Sequence, residues 1–351
     1  MTHGKGWTWA ARRGGAITAI GAAALAAVTL LSIQGCAPAL DADADTPASH
    51  SVTFADARAA YQKYLKVSDT AAATKDEASA LTVVTSAQWA QTRSQYNALA
   101  SAGTPVPRYR YGTPAFYVPA LSGFPQWFMV TANRTTVTGG KPGATDRTLM
   151  LFARDKTTEG WTLSGTAVLS RPLPAIARDA DGYAIPVSTT DSSLLLRPDV
   201  VGATRAAVVD DGPSSPATGV IAAGPLTTGL HTALLARAAA EQRRGLQYQW
   251  LLQGAPYPQV GLRLAGSGSA LIMYGMYLNT TNEHPNLVAG SPIGVPAEFK
   301  PMLAEPTEIG YHAVFANWVY QFAAIDPAAT ASNGKLEVIG SQRGPSFGHA
   351  Y

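Results

Sequence analysis

Cysteine is almost absent from this chain of 351 residues, since Cys36 is the only one. A single cysteine cannot form an intramolecular disulfide bond, and it excludes a metal site built from several cysteine ligands. Charged residues are also scarce, at 14% of the chain, where roughly 25% is usual for a globular protein. Apolar side chains make up 46% of the chain, which is enough to build a sizeable core.

The motifs of common enzyme classes are missing as well. The sequence contains no phosphate-binding loop, no nucleophile elbow and no H-E-x-x-H zinc motif. The histidines stand apart from one another and have no cysteine beside them that could share a metal ion. We therefore predict no catalytic residue, no metal ligand and no cofactor from the sequence.

An excess of positive charge is absent from most of the chain. The formal net charge is +3, but Lys5, Arg12 and Arg13 all precede Cys36, and no acidic residue does. The remainder carries 23 basic and 23 acidic residues and is formally neutral. Attraction to phosphates supplies most of the affinity of nucleic-acid binders, so the sequence predicts no nucleic-acid partner.

The N-terminus has the three parts of an export signal. Residues 1–13 are polar and positive, residues 14–33 carry no charge, and the small residue Gly35 precedes Cys36. We predict a signal peptide over 1–35. The alternative is a retained transmembrane anchor, because the uncharged stretch approaches the roughly 20 residues that span a bilayer. Residues 36–51 are acidic and lack apolar periodicity, which predicts a disordered tether.

Two successive regions share one order of predicted elements. Thr53 and Asp56 have the spacing of a capping box, and helical patterns follow before a series of strands. The same order of helices and then strands recurs in the second half, after a proline-rich segment. We predict an α+β fold of two tandem domains, each with N-terminal helices packed on a curved antiparallel β-sheet. Their predicted limits are 52–171 and 199–351, with a linker over 172–198.

Three resemblances follow from these patterns. Ile33-Gln34-Gly35-Cys36 resembles the bacterial lipobox, which implies cleavage between Gly35 and Cys36 and a diacylglycerol on the Cys36 thiol. The resemblance further implies attachment to the cell membrane on its extracytoplasmic face. The order of helices and strands resembles the cone-shaped, nuclear-transport-factor-two-like fold. The alanine-, glycine- and threonine-rich stretches resemble secreted lipoproteins of actinobacteria.

The aromatic residues suggest where a pocket could lie. His312, Trp318 and Tyr320 alternate onto one face of a predicted strand. Together with Tyr274 and Trp127 they form our candidate pocket. One interpretation is an acid–base site within a cone, and the other is an ordinary apolar core face with a few polar tips.

These observations leave three functions open. The first is a non-enzymatic, membrane-anchored protein that binds a cell-envelope protein or a small apolar ligand stacked on aromatic rings. The second is an enzyme of isomerase, dehydratase or hydrolase type with its active site inside one cone. The third is a structural assembly factor of the cell envelope. The absence of catalytic motifs from the sequence favours the non-enzymatic binding protein.

Overall fold

The structure is a computed structural model that describes residues 52–285, 293–303 and 312–350. Within these residues the α-helices are α1 (Phe54–Thr74), α2 (Glu77–Leu81), α3 (Ser86–Ala102), α4 (Pro198–Asp211) and α5 (Thr228–Gln242). The strands of the first half are β1 (Arg108–Tyr111), β2 (Ala115–Tyr117), β3 (Gln126–Thr138), β4 (Lys141–Arg154) and β5 (Thr162–Leu169). The strands that follow are β6 (Pro186–Val187), β7 (Gln247–Gly254), β8 (Val260–Arg263), β9 (Ala270–Glu283), β10 (Ala313–Asp326) and β11 (Glu337–Ala350). Short 3-10 helices occupy Gly212–Ser214, Pro216–Gly219 and Lys300–Met302.

The start of α1 confirms the predicted capping box. The Thr53 hydroxyl oxygen accepts the Asp56 backbone N–H at 3.1 Å, and the Asp56 carboxylate accepts the Thr53 backbone N–H at 3.0 Å. Both bonds satisfy amide groups that have no partner within the first turn of a helix. The helix ends at Lys75, which adopts the left-handed conformation with φ of 62°.

The described strands form one antiparallel sheet of eleven strands, and this contradicts the predicted fold class. The order along the sheet is β1-β3-β4-β5-β11-β10-β9-β8-β6, with β2 also on β3 and β7 also on β9. Strands β5 and β11 join the two halves through the pairs Gly340–Leu169 and Ser341–Val168. The prediction of two tandem helix-plus-sheet domains is therefore wrong, because strands of both halves belong to the same sheet. The limits 52–171 and 199–351 remain predictions about how the chain divides.

A shared apolar core explains why the sheet continues across both halves. Side chains alternate between the two faces of a strand, so Trp127 and Met129 of β3 point away from Phe128. They belong to the same buried cluster as Leu271 and Met273 of β9. One apolar face of the first half thus packs against one apolar face of the second half. Each half needs the other to bury this face.

Helices cover the opposite faces. Helix α1 packs over β3 and β4 through Ala57, Ala60 and Tyr61, and α4 and α5 pack over β9 and β10. Helix α3 instead lies across the junction, in contact with β5, β10 and β11. Its approach to β11 requires Gly344, since a Cβ there would lie 2.9 Å from Gln91 Cγ. This crossing brings polar side chains of α3 onto strands of both halves.

Candidate ligand cavity

A cavity of about 460 Å³ lies between helices and sheet in the first half of the chain. Helix α1 forms one wall, helices α2 and α3 form another, and β1 and β3 close it on the sheet side. Its floor consists of Thr166 of β5 and Gln342 of β11, which lie where these two strands stop pairing. Part of the lining is apolar and includes Leu65, Val84, Tyr96, Val106 and Pro107. The volume falls within the range of about 300–1,000 Å³ typical of small-molecule sites.

Amide side chains complete the floor where the two strands diverge. The backbone N–H of Thr166 on β5 donates to Gln321 Oε1 of β10, at a position where no described residue of β11 pairs with β5. The Thr166 hydroxyl donates to Gln88 Oε1 of α3 at 2.7 Å. On β11, Gln342 Nε2 donates to Gln91 Oε1 at 2.9 Å. These side chains provide partners where the sheet ladder stops, because buried polar groups are costly without hydrogen bonds.

Arg134 is the buried cation of this cavity. The alternation of β3 places it on the helix-facing side with Phe128, Val130 and Ala132, and only 9% of its surface is exposed. Its Nη1 donates to Gln342 Oε1 at 3.3 Å, and its guanidinium carbon lies 4.5 Å from the ring centre of Tyr109. Among the described residues no carboxylate lies within ion-pairing distance of it.

Tyrosine side chains surround this guanidinium. Burial raises the pKa of Tyr64, while its hydrogen bond with Tyr111 and the nearby Arg134 charge act in the opposite direction. Burial also raises the pKa of Tyr111 well above its usual value, and again the Arg134 charge opposes the rise. Both phenols therefore stay protonated at neutral pH and leave the positive charge of Arg134 uncompensated.

The rim of the cavity adds to the positive charge. Its ionisable lining consists of Lys66, Arg108 and Arg134 against one carboxylate, Asp69. Asp69 is already engaged, because Arg108 Nε and Nη2 each donate to one of its oxygens at 2.8 Å. This bidentate pair also connects α1 to β1 at the cavity edge. The cavity as a whole thus favours negatively charged groups.

The residues of the predicted pocket lie elsewhere, and the structure brings three of them together. Tyr274 and Tyr320 share the buried cluster beneath α4 and α5, where Trp318 packs at the edge. Trp127 belongs to the core on the opposite face of the sheet. His312 directly precedes β10, and its carbonyl accepts the His284 N–H at 3.0 Å. A binding role for this set stays a prediction.

Arg205 occupies the space beside those two tyrosines. It is completely buried, its guanidinium carbon lies 3.7 Å from the ring centre of Phe322, and its Nη1 lies 3.1 Å from Met276 Sδ. Its Nη2 donates to the Leu226 carbonyl. Burial raises the pKa of Tyr274 to about 12, while the Arg205 charge opposes the rise. Side chains therefore fill this part of the second half.

One feature of the sequence points to the cavity, although it is absent from the predicted pocket. Arg134 interrupts an otherwise apolar face of β3, and a charged residue at such a position needs a partner or a ligand. The amides of Gln88 and Gln342 had no comparable signal, because they are far apart in the chain. The predicted lipid site, Cys36 with Gly35, lies outside the described residues.

The described residues contain no group of three or more His, Cys, Asp or Glu that could hold a metal ion. No helix in that part of the chain is long and apolar enough to cross a bilayer.

The fold and cavity define a helix-covered antiparallel-sheet protein with one buried, uncompensated arginine facing a ligand-sized space. Residues 48–344 match the family described as "Domain of unknown function (DUF8094)", and the chain belongs to this family. It is also 24% identical over 235 residues to a protein of Streptomyces avermitilis described as "Uncharacterized lipoprotein". That match covers 65% of this chain and 64% of the Streptomyces protein, which is less than two thirds of its length. No solved structure is significantly similar.

The comparisons separate the two parts of the resemblance drawn from the sequence. A likeness to lipoproteins is supported by the description of the Streptomyces relative. The nuclear-transport-factor-two-like fold receives no support from the family or the relative, and the single sheet contradicts two cone domains.

Proposed function

We propose that this protein is a lipid-anchored extracytoplasmic protein that binds a small ligand in the cavity of its first half. Cys36 carries the lipid after cleavage behind Gly35, and residues 36–51 form the tether. Support for the anchor comes from the lipobox-like sequence Ile33–Cys36 and from the description of the relative as a lipoprotein.

The observation that carries the binding function is the cavity with Arg134 on its wall. Its apolar residues, which include Leu65, Val84 and Val106, suit the body of a small organic molecule, and polar side chains make up most of the rest of the lining. The hydrogen bonds among Thr166, Gln88, Gln342 and Gln91 hold the floor in place before a ligand arrives. A preformed floor lowers the entropy lost on binding.

The binding function is tested by filling the cavity. Ala72 lines the space and Ala73, its neighbour on α1, is exposed and does not. We expect the detergent-extracted full-length protein to bind uncharged 2-naphthol in isothermal titration calorimetry, with titration into detergent alone subtracted. Ala72→Trp should abolish the binding and Ala73→Trp should preserve it. Absence of binding to the wild-type protein, or equal binding by both variants, would contradict the proposal.

The anchor is tested separately. Mass spectrometry of the membrane-extracted protein should show an N-terminal Cys36 that carries diacylglycerol. Cys36→Ala should lose the lipid and leave the membrane fraction. An intact N-terminal segment in the wild-type protein, or an unmodified Cys36, would refute lipid attachment and favour the transmembrane alternative.

A further inference from the structure

We infer that the ligand of this cavity carries a single negative charge on a carboxylate, and that Arg134 binds it. This inference rests on the proposed binding function and names the chemical class of the ligand. The structure supplies three supports, which are the uncompensated charge, the shape of the donor and the lining around it.

The first support is the cost of a buried charge. Removing a guanidinium from water is unfavourable unless a counterion or several hydrogen bonds replace the water. Arg134 has one hydrogen bond, to Gln342, and one aromatic contact, to Tyr109, although it is nine-tenths buried. Its remaining donors therefore lack protein partners within the described part of the chain.

The other buried arginine differs from Arg134 in what it borders. Arg205 is completely buried and contacts a carbonyl, a sulfur atom and an aromatic ring of the protein, while its Nε has no hydrogen-bond partner among the described residues. Arg134 instead borders a space of about 460 Å³ that a ligand can enter. The difference indicates a structural role for Arg205 and a binding role for Arg134.

The second support is the geometry of the group. A guanidinium presents its N–H donors in a planar fork that matches the two oxygens of a carboxylate. Among the described residues, Asp69 is the only carboxylate on the cavity lining, and Arg108 holds both of its oxygens. Asp146 of β4 lies opposite Arg134 in the sheet but forms no ion pair with it. An anion from outside the chain is therefore the complementary partner for Arg134.

The third support is the rest of the lining. Protonated Tyr64 and Tyr111 bring no negative charge that would repel an anion, and Lys66 adds a positive charge at the rim. Leu65, Val84 and Val106 add apolar surface to the wall, beside neutral polar side chains. A single buried cation balances one negative charge, so a small carboxylate with an apolar or aromatic body fits this lining.

The test uses two probes of nearly the same size and shape, the anion 2-naphthoate and the neutral 2-naphthamide. Calorimetric titration of the full-length protein in detergent should give a dissociation constant at least about tenfold lower for 2-naphthoate, the usual scale of a hydrogen-bonded charge. Arg134→Gln should remove this preference while leaving the affinity for 2-naphthamide unchanged, which shows that the cavity is intact. Arg134→Lys should retain part of the preference.

Arg110→Gln is the matched control. Arg110 lies on β1, opposite Thr135 of β3, but it is exposed and does not line the cavity. The preference for 2-naphthoate should survive this substitution.

Three results would overturn the inference, and they differ in what they say about the proposed function. Equal affinity for both probes, abolished by Ala72→Trp, would refute the anionic ligand and leave a ligand-binding cavity. If neither probe binds, both the inference and the cavity as a binding site are refuted. A preference for 2-naphthoate that persists in Arg134→Gln would also overturn it, because another group would then bind the anion.

Discussion

At the scale of single residues, Asp326 has the most unusual surroundings among the acidic side chains. It ends β10 completely buried, with one oxygen accepting the Leu196 N–H at 3.3 Å and the other without a partner. Burial raises its pKa from the usual 3.8 to about 7, and the bond from Leu196 opposes the rise only in part. The folded state therefore holds this proton in a pH range where the unfolded chain has lost it.

This difference has a definite sign. Because the folded pKa lies above the unfolded one, the free energy of unfolding falls as the pH rises from about 4 to about 7. Asn cannot ionise and loses no proton in this range. The free energy of unfolding of Asp326→Asn, relative to that of the wild type, should therefore be higher at pH 8 than at pH 5. Urea unfolding followed by circular dichroism at both pH values measures the gain. The exposed Asp155→Asn is the control, and an Asp326→Asn effect equal at both pH values would contradict the assignment.

For Arg134, the sequence predicts the position of the side chain but not its hydrogen-bonding partner. Its position on the apolar face of β3 follows from simple alternation. Its uncompensated charge does not follow, because any distant carboxylate could have paired with it. Only the fold shows that Gln342, 208 residues away in the chain, is its hydrogen-bonding partner.

At the scale of elements, a local pattern predicted the start of α1. Its capping residues, Thr53 and Asp56, lie next to the helix that they begin. The buried face of α3 is polar, with Gln88, Gln91 and Thr92, so hydrophobic periodicity could not show which side packs on the sheet. Its orientation depends on partners in β5 and β11.

The N-caps of α1 and α3 provide a matched pair for a prediction. Thr53 makes a side-chain capping bond and Thr85, at the start of α3, makes none. Thr53→Ala should lower the free energy of unfolding by about 1 kcal/mol, the usual worth of a capping side chain. Thr85→Ala should change it by less than about 0.5 kcal/mol. Urea unfolding curves measure both, and equal effects would show that the capping box adds nothing.

At the scale of the whole molecule, the core shared by both halves should make them unfold together. Met273 of β9 is buried in that core with Leu149 and Leu151 of β4. Met273→Ala should lower the free energy of unfolding by about 2–5 kcal/mol, the usual cost of such a truncation. Amide hydrogen exchange should then accelerate in β4 as well as in β9, although the substitution lies in the second half.

Leu251→Ala is the control for this prediction, because Leu251 on β7 is 51% exposed. It should leave exchange in both strands near the wild-type rate. Faster exchange confined to β9 after Met273→Ala would mean that the halves are stable independently, against the expectation from a common core.

The sequence by itself determined that residues 36–351 are formally neutral. It also determined most strands and which residues face each side of them, because alternation is a local property. It also supplied the lipobox-like motif that carries the proposed anchor. The tertiary structure alone decided that β5 pairs with β11, that the halves share a core, and that a cavity opens beside Arg134. Alternation specifies which face a side chain occupies, whereas pairing depends on contacts between distant segments. Two tandem domains and one continuous sheet place similar demands on each strand. The pairing of β5 with β11 distinguishes them, together with the cluster that Trp127 and Met129 share with Leu271 and Met273.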